Sequence, residues 1–168
     1  MSYKVNHFIV VLNLAFIAIS ATALIDLWTY CLKRFFKIAS LNYALVGRWV
    51  LIFIHSGQFK HQHITQAPKQ KNEKIWGWVL HYLIGFAFTC CFIAITGISW
   101  LQQPEILSAI LFGIATVLFP FLIMQPCFGL GLFAHKVPHP QQARLKSIVT
   151  HLLFGLGLFI SAKFLIWL

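Results

Sequence analysis

Acidic side chains are nearly absent. Among 168 residues only Asp26, Glu73 and Glu105 are acidic, against 13 Lys and Arg. Catalysis by paired carboxylates, and metal sites built from them, have almost no material. Charged residues of both signs make up 10% of the chain. A soluble domain carries about 25%, so a water-exposed globule is excluded too. Cysteine is sparse: Cys31, Cys90, Cys91 and Cys127 form no CxxC or haem-attachment spacing. Adjacent Cys90 and Cys91 cannot make an ordinary bridge, and all four read as packed thiols.

Apolar residues fill the chain instead. It is 60% hydrophobic, with 17 Phe and 6 Trp, and its mean hydropathy is +0.81. A soluble fold of this size cannot bury so much apolar surface. The expected fold is an all-α integral membrane protein, one domain over residues 1–168. Four apolar runs, about 8–30, 75–100, 106–127 and 147–168, are long enough to cross a bilayer, which takes about 20 helical residues. Between the first two, "WVLIFI" (49–54) is too short to cross. It predicts a short interfacial or re-entrant helix.

Basic residues set the orientation. Eight lie in the loop 31–74 and three in the loop 128–146, while the connection after the second span has none. The positive-inside rule places both loops in the cytoplasm and both termini outside. Trp28, Trp76 and Trp78 then mark inner span ends, and Trp100 and Trp167 outer ends. A net charge of +10 distributed this way suits anionic lipid headgroups, not nucleic acid. "SATA" (20–23) resembles a signal-peptidase site, but cleavage there would leave eight basic residues outside, so the segment reads as a retained helix.

Ionisable groups cost about 2.5–3.5 kcal/mol each at the centre of a spanning helix. Those present are therefore informative. Asp26, His81, Gln125 and His151 fall at similar depth near the cytoplasmic ends of the four spans. In "LFPFLIMQPCFGLGLFAHKVP" (118–138), Pro120 and Pro126 each remove an N–H and free a carbonyl one turn earlier, those of Thr116 and Leu122. Irregular backbone at membrane depth survives only when buried in protein or lining a wet cavity. A polar pocket open to the cytoplasm is expected there. Each residue also has a plainer reading: a His can sit among headgroups, and Asp26 can pair with Lys33 or Arg34. Gly85, Gly113, Gly155 and Gly157 read as helix-packing contacts. "GLG" (129–131) lacks the strand–turn–helix setting of a nucleotide fingerprint, so no cofactor is expected. "KHQH" (60–63) could hold zinc or copper, but no third ligand is evident.

A weak echo joins the two halves. "SATALID" and "GIATVLFP" share Ala-Thr, and each half then has an Arg followed seven residues on by His: Arg48 with His55, Arg144 with His151. Transporter folds often carry such faint repeats. The two arginines suit a phosphate or carboxylate, lipid headgroups included.

Several blocks have a familiar look: "ATALIDLW" (21–28), "LNYALVGRW" (41–49), "GWVLHYLIGFAF" (77–88), "LFGIATVLFPFLIMQPCFGLG" (111–131) and "ARLKSIVTHLLFGLGLF" (143–159). Together they resemble the bacterial inner-membrane family known as domain of unknown function 2938. The family often has Met before the aspartate, where Ile25 stands here. The resemblance implies four spans in a bacterial inner membrane, and matches polar positions at Asp26, Arg48, His81, Gln125, Arg144 and His151. It carries no activity, substrate or cofactor.

Three functions compete. The first is a small transporter, channel or transport-associated subunit that binds a proton, ion or small anionic group. Its site would comprise Asp26, Arg48, His55, His81, Gln125, Pro126, Arg144 and His151, and a homo-oligomer would be expected for so thin a conduit. The second is an assembly or stability partner of a larger membrane complex. The third is an enzyme acting on lipid-linked substrates, for which no nucleophile elbow or metal triad is present. An enzyme is the least supported of the three.

Overall fold

The computed structural model describes residues 7–38 and 41–167. Lys4, part of the charge balance, and Leu168, at the end of the fourth expected span, lie outside the described residues. Four helical spans are long and apolar enough to cross a membrane: Phe8–Phe36, Glu73–Thr96, Ile106–Cys127 and Pro140–Trp167. They belong to helices α1 (His7–Phe36), α3 (Glu73–Thr96), the pair α4 (Ile106–Ala115) and α5 (Gln125–Cys127), and α6 (Pro140–Trp167). A shorter apolar helix, α2 (Tyr43–Ser56), lies between the first two spans. The chain is an all-helical, multi-pass membrane protein.

Lipid tails are as apolar as leucine, so burying apolar surface does not drive these helices together. Close backbone packing does. At each crossing a small residue allows it. Gly47 of α2 faces the carbonyl of Glu73, and Gly77 of α3 faces that of Tyr43. Gly113 and Gly155 meet where α4 crosses α6. Gly157 of α6 lies on Ala21 of α1, and Gly85 of α3 on the Thr22 hydroxyl. α1 thus touches both α3 and α6, α6 reaches α4, and α2 rides on α3. "SATA" falls in the middle of α1, with Ala21 and Thr22 buried at these contacts.

The half of the bundle distal to the basic loops is dry. Ile17, Ala21, Phe92, Phe154 and Leu158 from α1, α3 and α6 form one apolar core. Trp100 departs from its expected place in an aromatic belt. α3 stops at Thr96, and a tight turn over Ile98–Leu101 folds Trp100 inward until it is 6% exposed. Its ring packs edge-on to Phe92 at 4.7 Å, and its indole N–H donates to the Ser108 hydroxyl at 3.0 Å. Trp167 is 88% exposed, in keeping with an interfacial anchor.

Near the loops the third span changes its winding. With no N–H on Pro120, the Thr116 carbonyl instead accepts from Phe119 at 3.1 Å. The backbone then widens over Pro120–Met124, where Gln125 N–H reaches back five residues to the Pro120 carbonyl. A second wide turn follows, Leu130 N–H to the Gln125 carbonyl at 2.9 Å. Such π-type turns concentrate at functional sites. Gly129 has φ +84° and lies against the Gln62 carbonyl, so only glycine fits. That approach lets the loop before α3 pair with the break: His61 N–H donates to Cys127 O at 2.8 Å and Ile64 N–H to Phe128 O at 3.1 Å.

Candidate functional site

Between the dry core and the loops lies a cavity of about 370 Å³. Its deep end is formed by Thr22, Phe88 and Phe154, each near the middle of its helix. Its walls run past His81, Gln125, Thr150 and His151 to Leu130, Ala134 and Val137 beyond α5. Thr22 is 14 residues from the end of α1, about 20 Å along the axis. The cavity therefore extends from mid-span toward the side that carries the basic loops.

Two residues of its lining each carry a buried, unpaired polar atom, Thr22 Oγ1 and Gln125 Oε1. The two residues are 1% and 6% exposed. Buried polar atoms without partners cost about 1–3 kcal/mol each, so an orphan in a folded protein needs an explanation, such as a ligand or water. His151, half-buried, adds an acceptor of another kind. Thr116 sits on the last turn before the break, and its hydroxyl donates to the Gly113 carbonyl at 2.5 Å. Its oxygen must then accept from His151 Nδ1 at 2.7 Å. The neutral ring is left with Nε2 as an acceptor.

Asp26 is the hub of a second cluster beside the cavity. Its Oδ1 accepts from His81 Nε2 at 3.0 Å and from the Tyr43 hydroxyl at 3.3 Å. Its Oδ2 accepts from the Tyr82 hydroxyl at 2.9 Å. Tyr43 also stacks on His81 at 4.1 Å between centroids. The first residue of α2 is thus fastened to α1 and α3 together. Burial, then the Asp26 carboxylate, holds the Tyr43 hydroxyl far above its ordinary titration range, so it stays protonated and donates to Asp26.

The expected site is therefore assembled in part. His81, Gln125 and His151 line one cavity and Asp26 joins through His81. Asp26 turns to these neighbours from α2 and α3, not to Lys33 or Arg34. Four expected residues are elsewhere. Arg48 gives Nε and Nη2 to Glu73 at 2.8 and 2.7 Å, and Nη1 to the carbonyls of Ile64, Thr65 and Ala67. Its guanidinium is consumed by a loop, held charged chiefly by the Glu73 hydrogen bonds. Arg144 donates from Nε to Phe133 O at 2.8 Å and does not line the cavity. His55 is exposed, its ring on the Leu51 carbonyl of its own helix. Pro126 shapes the backbone beside Gln125 without lining the cavity. In "KHQH", His61 is buried and His63 exposed, so the pair shares no face. Among the described residues no three His, Cys, Asp or Glu side chains gather as for a metal ion. Sequence reasoning missed Tyr43, Tyr82, Thr22 and Thr116. The Ala-Thr echo did contain both threonines.

A family model described as protein of unknown function (DUF2938) matches residues 15–165, most of the chain and every residue of the two clusters. Neither the curated proteins nor the solved structures contain a significant match. The chain belongs to the DUF2938 family.

Proposed function

We propose that this protein binds a small molecule in the cytoplasmic half of a bacterial inner membrane, as a small transporter or a transport-associated subunit. Both termini would be periplasmic, since 11 of 13 basic residues fall in the loops 31–74 and 128–146. The observation that carries the reading is the pair of buried, unpartnered polar atoms, Thr22 Oγ1 and Gln125 Oε1, on two residues that line one cavity reaching half way across. Pockets that hold small molecules are of this size, mostly apolar, with a few convergent polar groups. The arginines do not supply an anion site, because neither lines the cavity. Native mass spectrometry of the protein released from mild detergent tests it. The wild type is expected to carry a bound small molecule, and Ser147→Trp, which plugs the mouth, to lose it. An empty wild type, or an equal adduct in the plugged variant, contradicts binding there. Protein-dependent uptake of that molecule into proteoliposomes separates a transporter from a binding subunit. An assembly partner without a ligand is the outcome if both assays are blank.

A further inference from the structure

The chemistry of the cavity restricts what enters it. Among the described residues its lining holds no acidic side chain. Asp26, the nearest carboxylate by sequence and contact, has both oxygens engaged by His81, Tyr43 and Tyr82. An ammonium or metal ion would find no counter-charge. Among the described lining residues the one fixed charge is Lys146, five residues before His151 and so about 7.5 Å nearer the start of α6. That places it nearer the start of α6 than the deeper lining.

Deeper in, two acceptors lack donors. Gln125 Oε1 accepts only, and His151 Nε2 accepts because Nδ1 is committed to Thr116. Thr22 Oγ1 can give or take. A hydroxyl is the smallest neutral group that donates to an amide or imidazole acceptor and accepts from Thr22 in return. The surrounding walls are aromatic. Phe88 stands edge-on to Phe119 at 6.0 Å and to Phe154 at 6.3 Å, and all three line the cavity with Phe128. Aromatic walls favour a ring inserted edge-to-face or offset. A phenol joins the two requirements, staying neutral at physiological pH because its pKa is about 10.

Resting on the binding function proposed above, we infer that the cavity takes a neutral aromatic alcohol of the phenol class, its ring among the four phenylalanines and its hydroxyl donating to Gln125 or His151 and accepting from Thr22. The ligand enters from the side that carries the basic loops.

Three probes of similar size test this on the purified full chain in nanodiscs: para-butylphenol, its methyl ether and para-butylbenzoate. Affinities are read by calorimetry. The phenol is expected to bind about tenfold more tightly than the ether, which has lost the donor, and the benzoate most weakly. Gln125→Met is expected to cut the phenol-over-ether preference to under about threefold, a pattern that general loss of structure does not produce, whereas Thr22→Val, which removes a donor that both oxygens can accept from, is expected to weaken phenol and ether together. Equal binding of phenol and ether by the wild type overturns the inference, reducing the cavity to an apolar pocket. Benzoate as the tightest probe overturns it in favour of an anion site at Lys146. If none of the three binds while native mass spectrometry still shows an adduct, the ligand class is wrong and the binding function stands. If no adduct is seen either, both fall.

Discussion

Arg48→Leu is expected to destabilise the protein by roughly 3–5 kcal/mol, the usual cost of breaking a buried ion pair by removing one partner. The Arg48 and Glu73 side chains are 6% and 14% exposed. The substitution strands the Glu73 carboxylate and leaves three carbonyls, those of Ile64, Thr65 and Ala67, without their donor. Those carbonyls form the turn that leads into α3, and Ile64 is itself paired to Phe128 beside the break in the third span. The damage therefore reaches the cavity wall through the loop. Arg48→Lys is expected to recover less than half the loss, because an ammonium cannot serve a carboxylate in bidentate fashion and three carbonyls at once. Thermal unfolding in detergent measures both. A melting temperature unchanged in Arg48→Leu contradicts the assignment of this arginine to structure, and reopens an anion-attracting role.

Asp26→Ala is expected to release α2. The substitution leaves two tyrosine hydroxyls and an imidazole without their shared acceptor, at about 1–3 kcal/mol for each group that stays buried and unpaired. Tyr43 belongs to α2, His81 and Tyr82 to α3, so the loss falls on the junction between the short helix and the bundle. Hydrogen exchange across residues 43–56 is expected to speed up by at least tenfold, while the dry core around Phe92 and Leu158 keeps its protection. Asp26→Asn keeps one acceptor oxygen and is expected to show a smaller effect. Exchange in α2 unaffected by Asp26→Ala shows that the Gly47–Gly77 crossing alone holds the helix.

Much of this architecture is legible in the amino-acid order. Four apolar runs of spanning length, two of whose connections are basic, can only be spans, and the short "WVLIFI" run became part of α2. The depth of Asp26, His81, Gln125 and His151 follows from counting turns, because bilayer cost makes each polar residue conspicuous. Pro120 announces the broken third span for the same reason. Partners across long loops are not legible. Glu73 lies 25 residues from Arg48, and nothing local shows that a cation in an apolar helix is spent on a turn and not on a ligand. Tyr43 and Tyr82 escape notice because tyrosine is unremarkable near a membrane surface, and only tertiary contact reveals where its hydroxyl goes. Trp100 misled for a related reason: an aromatic at a span end fits a belt until a tight turn folds it inward. Thr22 is inconspicuous since threonine usually satisfies its own helix, and its orphaned oxygen appears only beside Gly85.

One experiment bears most directly on the convergence of these polar groups in a half-crossing cavity. In oriented vesicles, with the four native cysteines replaced, single cysteines at Thr150, Gln125 and Ile17 are exposed to a membrane-impermeant thiol reagent from each side. Thr150→Cys and Gln125→Cys are expected to react from the face bearing the basic loops and from no other, while Ile17→Cys, plugged in the dry core, stays unmodified from both. Silence at Thr150 and Gln125 from that face, or equal labelling from the two faces, contradicts a water-reachable chamber that stops midway through the bilayer.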